Sequence, residues 1–123
     1  MSEIVGYGSN NFSTEEQIVG KWIDGKPLYQ KTIDCGALPN TTSKDINHNI
    51  ADVERIWLYS GVAWGTVDTE IMPLPYLVVS SSGATNSAVG VTVNRVRIRI
   101  TTGSDRTSYT NSYITIQYTK TTD

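Results

Sequence analysis

The sequence predicts an all-β fold, an antiparallel β-sandwich of jelly-roll-like form. Short runs rich in β-branched and aromatic residues recur with turn signals about every ten residues. Val96 to Ile100 and Tyr113 to Lys120 alternate apolar and polar residues with the period of two that a half-buried strand requires. No stretch of useful length places apolar residues at helical spacing.

The 123 residues correspond to one domain. A chain of this size buries roughly two-thirds of its unfolded surface, so it can hold a core without metal or disulfide. Hydrophobic residues make up 38%, which suits a sheet fold with wet faces or an oligomer that completes its core from its neighbours. The 3 Trp and 7 Tyr argue against disorder. Ten Lys and Arg against twelve Asp and Glu give a net charge of −2, which exerts no general pull toward nucleic acid. Cys35 is the only cysteine and cannot form an internal disulfide. No apolar stretch approaches the ~18 residues that span a bilayer, so membrane insertion is not expected. The N-terminus lacks a basic region followed by an apolar run, so no signal peptide is expected.

Residues 1–11 are polar, with Gly6, Gly8 and paired Asn, and read as an N-terminal arm or the end of a linker. Residues 12–123 read as one β-sandwich domain without internal repeats. Ser13 followed by Glu16 has the form of a capping box, so a short turn of helix is expected before Gly20. Asp24-Gly25 between two alternating runs predicts a hairpin with a type I′ turn, in which both central residues need positive φ. In its second arm Leu28, Gln30 and Thr32 share one face, and Tyr29, Lys31 and Ile33 the other. Pro27 has no N–H to donate and marks an edge or the start of that arm.

Gly36 to Asp52 predicts a long polar loop with a short strand near Ile46 to Ile50. Val53 to Tyr59 is expected as a strand, followed by Gly61, with Val62 to Val67 as its partner. Pro73-Leu74-Pro75 interrupts the chain before a short strand at Tyr76 to Val79, and Ser80 to Gly90 reads as a mobile loop. Val91 to Ile100 predicts a single strand, with Val96, Ile98 and Ile100 on one face and Arg95, Arg97 and Arg99 on the other. Val91 and Val93 have the opposite parity, so a bulge near Asn94 or a change of buried face is expected. A turn-rich connection from Thr101 to Asn111 leads to the last strand, Tyr113 to Lys120. There Ile114, Ile116 and Tyr118 face one way and Thr115, Gln117 and Thr119 the other.

Three blocks carry a family resemblance. The stretch from Phe12 to Thr32, which contains WIDGKPLYQKT, resembles the opening of a C-terminal module of phage and prophage virion fibre proteins. Leu38-Pro39-Asn40 through His48-Asn49-Ile50 looks like the module's second stretch, and Ile116 to Asp123 like its ending. The resemblance implies a virion appendage protein of the head fibre, tail fibre or receptor-binding tip type. It implies a β-structured homotrimer whose partners are other virion proteins and, for a receptor-binding tip, a host cell-wall polysaccharide. It places the chain in the phage particle, made in the bacterial cytoplasm without a signal peptide. No catalytic motif comes with it, and host recognition and capsid decoration both stay open.

The residues themselves offer few signs of catalysis. His48 is the only histidine; Asp45, Asn47 and Asp52 are nearby, but no metal-ligand spacing is present. Structural hydrogen bonding is its expected role, with a ring of three histidines in a trimer as the alternative. Asp68 and Glu70 at i and i+2 would lie about 7 Å apart, a spacing compatible with glycosidase chemistry but common, and a solvated strand face is the expected reading. No GxSxG elbow, P-loop or GxGxxG occurs. Enzyme activity, cofactors and resident metals are therefore not expected.

Binding residues are better represented. Arg95, Arg97 and Arg99 would repeat at about 6.5–7 Å along a strand face. They would either pair with acids such as Glu54, Asp68 or Glu70, or meet an anionic wall polymer. Aromatic rings can stack on a pyranose face while polar neighbours bond its hydroxyls. Trp57, between Ile56 and Leu58, is expected in the core. Trp64, beside Gly61 and Gly65, and Tyr109, in a polar loop, are better placed for exposure. With Tyr113 and the three arginines, these form the candidate ligand-binding set: Trp64, Tyr109, Tyr113, Arg95, Arg97 and Arg99.

Overall fold

The computed structural model describes residues 12–65, 70–77 and 88–123. The strand expectations at Thr66 to Val67 and Val78 to Val79, Asp68, the arm at residues 1–11 and most of the loop from Ser80 lie outside these. Among the described residues eight strands form two antiparallel sheets, and no helix occurs. The larger sheet has the order β1 (Gln17–Lys21), β2 (Pro27–Asp34), β8 (Asn111–Lys120), β4 (Val53–Trp64) and β5 (Met72–Leu74). The smaller has the order β3 (Ser43–Asn47), β7 (Arg97–Thr102) and β6 (Val89–Val93).

Alternation builds the core. Ile114, Ile116 and Tyr118 of β8 are 0% exposed, on the face their parity assigns. Ile33, Val53, Ala63, Met72 and Leu74 of the larger sheet join Val89, Val91, Ile98 and Ile100 of the smaller one in a single buried cluster. Each fully buried Ile contributes about 1.5–3 kcal/mol. Polar links also join the sheets: the Tyr59 hydroxyl donates to the Val91 carbonyl at 3.0 Å, and Lys31 Nζ to the His48 carbonyl at 2.9 Å.

Several local expectations are corrected. Ser13 caps a bend, not a helix: its Oγ accepts the Glu15 N–H at 3.0 Å. Glu16 does not return to Ser13 as a capping box would; it accepts from the Tyr118 hydroxyl at 2.5 Å and pairs with Lys120 at 2.8 Å. The β1–β2 hairpin forms, but Gly25 (φ 89°) is the only positive-φ residue at its tip. Its N–H bonds the Trp22 carbonyl at 2.9 Å, while the Trp22 N–H bonds Lys26. That is the wider loop with one left-handed glycine, not the two-residue type I′ turn.

The short strand expected near Ile46 to Ile50 lies three residues earlier, as β3. Val53 to Trp64 is one twelve-residue strand, not two strands about Gly61. Conversely, Val91 to Ile100 is not one strand. Asn94 ends β6, and its Oδ1 accepts the N–H groups of Val96 and Arg97, both at 2.8 Å, to turn the chain into β7. The change of parity is thus a hairpin turn.

Candidate functional site

The outward face of the larger sheet is a ladder of amide and hydroxyl side chains interspersed with apolar ones, with Asp34 at one end. Across β2, β8 and β4 the rungs read Gln30–Gln117–Leu58, Thr32–Thr115–Ser60 and Asp34–Tyr113–Val62. Residues directly opposite share a face, so these rungs stand on the side away from Ile114 and Ile116. The rungs are cross-linked: Thr32 and Thr115 hydroxyls lie 2.8 Å apart, and Gln117 Nε2 donates to Gln30 Oε1 at 2.8 Å. Gln30 is 5% exposed, and its own Nε2 meets no acceptor among the described residues.

A groove of about 710 Å3 runs over this ladder, with Thr32, Ser60, Gly61, Tyr113 and Thr115 among its walls and Phe12 at its rim. An adjoining depression of about 320 Å3 shares Phe12, Ser60 and Thr115 and adds Gln30, Leu58 and Gln117. Among the described residues no lining residue of either is charged. Phe12 is 74% exposed and Leu58 53%, so apolar surface stands beside hydroxyl and amide groups. Gly61, opposite inward-facing Ile114, lets β4 approach β8 closely beneath the groove, because a Cβ there would meet the Tyr113 carbonyl at 2.5 Å.

Aromatic pairs stand at the two ends of the face. Trp64, at the end of β4, lies 5.5 Å from Tyr113 between ring centroids, tilted by 34°. At the other end Trp57 stacks on Trp22 at 4.3 Å, with the Arg55 guanidinium 5.3 Å from the Trp57 ring. Trp57 Nε1 donates to Thr119 Oγ1 at 3.1 Å, and Thr119 in turn donates to Glu54 at 2.9 Å. Lys26 bonds the same Glu54 oxygen at 3.0 Å. Those two bonds, Lys26 first, hold the Glu54 carboxyl below its ordinary range. Trp57 is therefore half-buried on the outward face, not in the core where its apolar neighbours placed it.

The other candidates go elsewhere. Tyr109 packs half-buried against the core and lines a separate cavity of about 270 Å3 with Tyr76 and Met72. Arg97 and Arg99 both reach Asp45 of β3, Arg99 with two bonds of 2.7 and 2.9 Å and Arg97 at 3.5 Å. Arg95 lies in the β6–β7 turn and donates twice to the Glu54 carbonyl oxygen. So the three arginines do not form one row, and the acid that pairs two of them is Asp45. His48 is 1% exposed; Nε2 bonds the Asn94 carbonyl at 2.8 Å and Nδ1 accepts the Ile50 N–H at 3.2 Å. Both ring nitrogens are thus engaged within the chain. Among the described residues no three His, Cys, Asp or Glu side chains gather as metal ligands.

The structure thus brings Trp64 and Tyr113 together and separates them from Tyr109 and the arginines. Sequence reasoning missed Phe12, Ser60 and the Gln and Thr rungs. The shared parity of Gln30 with Thr32, and of Thr115 with Gln117, was the available signal. A scan against protein-family models finds no match, and searches of curated proteins and of solved structures find none either. The face can stack a flat apolar ring and exchange hydrogen bonds with hydroxyls.

Proposed function

We propose that this chain is a non-catalytic module that binds carbohydrate on the outward face of its five-stranded sheet. The observation that carries this is the groove over the Thr rung with its adjoining depression over the Gln rung, both without a charged lining residue among those described, and the Trp64–Tyr113 pair at the groove's end. Sugars offer neutral hydroxyls to such amides and hydroxyls, and an apolar ring face to the aromatics. The resemblance to phage fibre modules suggests the setting: a virion appendage that recognises a host-surface polysaccharide. In that setting the two sheets are a jelly-roll-like sandwich assembled as a homotrimer alongside other virion proteins. The test is binding of the labelled protein to bacterial cells and purified wall polysaccharides, repeated with Trp64→Ala and Tyr113→Ala. Loss of binding in variants that unfold normally supports the assignment. Unchanged binding in both removes this face as the site.

A second reading is favoured by the exposed Phe12 and Leu58, which would suit contact between copies in a trimerisation or capsid-decoration module. Light scattering of wild type and Leu58→Ser separates the two. A trimer that dissociates in the variant supports self-contact through this face, and a monomer in the wild type rules it out.

A further inference from the structure

The groove ends short of the second aromatic pair, and the strand that carries one ring of each pair sets a length. Trp57 and Trp64 both belong to β4, and the path between them is roughly 20 Å at the usual rise per residue. The two pairs stand on one face: Trp57 bonds outward-facing Thr119, and Trp64 packs on outward-facing Tyr113. Between them the floor is Leu58, Ser60, Thr115 and Gln117, with no charge among the described residues. The Trp64–Tyr113 end carries an acid, and the cations at the other end are engaged. Asp34 stands on the Tyr113 rung and accepts from Gly36, Lys26 is paired with Glu54, and Arg55 lies over Trp57. The arginines that an anionic polymer would seek are directed to Asp45 and to the Glu54 carbonyl.

Resting on the carbohydrate-binding role proposed above, we infer that the ligand is an uncharged, linear glycan lying along β4. It contacts the Trp64–Tyr113 pair at one end and the Trp22–Trp57 stack at the other. A polyanion is disfavoured because Asp34 sits beside the Trp64–Tyr113 end and the floor offers no cation.

The test is calorimetric titration with oligosaccharides of increasing length. One set is uncharged (glucan, mannan and N-acetylhexosamine series) and one anionic (uronate and phosphodiester-linked series). Affinity for an uncharged series should rise with length until the oligomer reaches both pairs. Trp64→Ala should weaken short and long oligomers alike, by roughly tenfold. Trp22→Leu, which keeps an apolar cover on Trp57 and can be checked by thermal unfolding, should weaken only the long ones. Length-independent affinity, an unaffected Trp22→Leu variant, or preference for the anionic series would overturn the inference while leaving carbohydrate binding intact. Wild-type protein that binds neither set would overturn both.

Discussion

Gly61 of β4 lies against Tyr113 of β8 so closely that a methyl group on it would sit 2.5 Å from the Tyr113 carbonyl oxygen. The obstacle is backbone in the middle of a sheet, which cannot swing aside as a side chain would. Gly61→Ala should therefore destabilise the protein by about 1–3 kcal/mol, as overpacking does. Gly20→Ala, with nothing within 4 Å of the new atom, should stay within about 0.5 kcal/mol of wild type. Urea unfolding of both variants provides the comparison; equal effects would mean that the close approach does not limit residue 61.

His48 ties the segment after β3 to the β6–β7 turn through its Nε2 bond to the Asn94 carbonyl, while Nδ1 accepts the Ile50 N–H within its own segment. His48→Phe fills much of the space but leaves the Asn94 carbonyl and the Ile50 N–H without that partner. The expected loss is about 1–3 kcal/mol for each group that stays buried and unbonded. Amide hydrogen exchange should show faster exchange at Ile50, and unaltered protection there would remove the ring from this role.

Asp45 is held below the ordinary carboxylate range, first by its bond from Arg99 and then by the Arg99 and Arg97 charges. A carboxyl whose folded pKa is depressed stabilises the fold above its unfolded value of about 3.9. That contribution disappears as pH falls through the depressed value. Asp45→Asn should flatten this part of the acid limb of the stability curve. The difference from wild type should shrink in high salt, because the pair is exposed. Thermal melts across the acid range at two salt concentrations measure it.

Tyr29 behaves in the opposite sense. Its hydroxyl donates to Asp123 at 2.6 Å, and that bond, followed by burial and the nearby carboxylates, pushes its pKa up to about 12. A raised folded pKa gives stability that is fully present below the unfolded value of about 10 and is lost as pH rises through about 12. Tyr29→Phe should lose part of this alkaline sensitivity and one late-titrating phenolate by ultraviolet absorbance. Tyr118 is also raised, by burial and Glu16, so the variant is needed to separate the two.

The strands most legible in the sequence were those whose alternation is unbroken. The last strand, Tyr113 to Lys120, has its two faces sorted correctly by alternation alone, because a period of two needs no knowledge of partners. The errors fell where one residue type serves two purposes. Gly61 looks like a turn and is a point of close strand approach. Asn94 lies in a run that looks continuous, and its side chain turns the chain. The arginine row failed for the same reason, since it presumed one strand across that turn. The site was less legible than the fold. Trp64 and Tyr113 were both singled out, but their meeting depends on the pairing of β4 with β8, which joins residues distant in sequence. The Gln and Thr rungs likewise exist only once the register is set.

The two borders of the larger sheet have a consequence for how copies of this protein can meet. On one side β5 is only three residues long and carries Pro73, which has no N–H to offer. On the other, β1 slips register between Ile18 and Gly20. Short, proline-bearing and irregular margins make poor templates for a neighbour's strand. Copies crowded side by side are therefore discouraged from zipping into a continuous, fibril-like sheet through these two margins, and their contacts are steered toward broad surfaces that can part again.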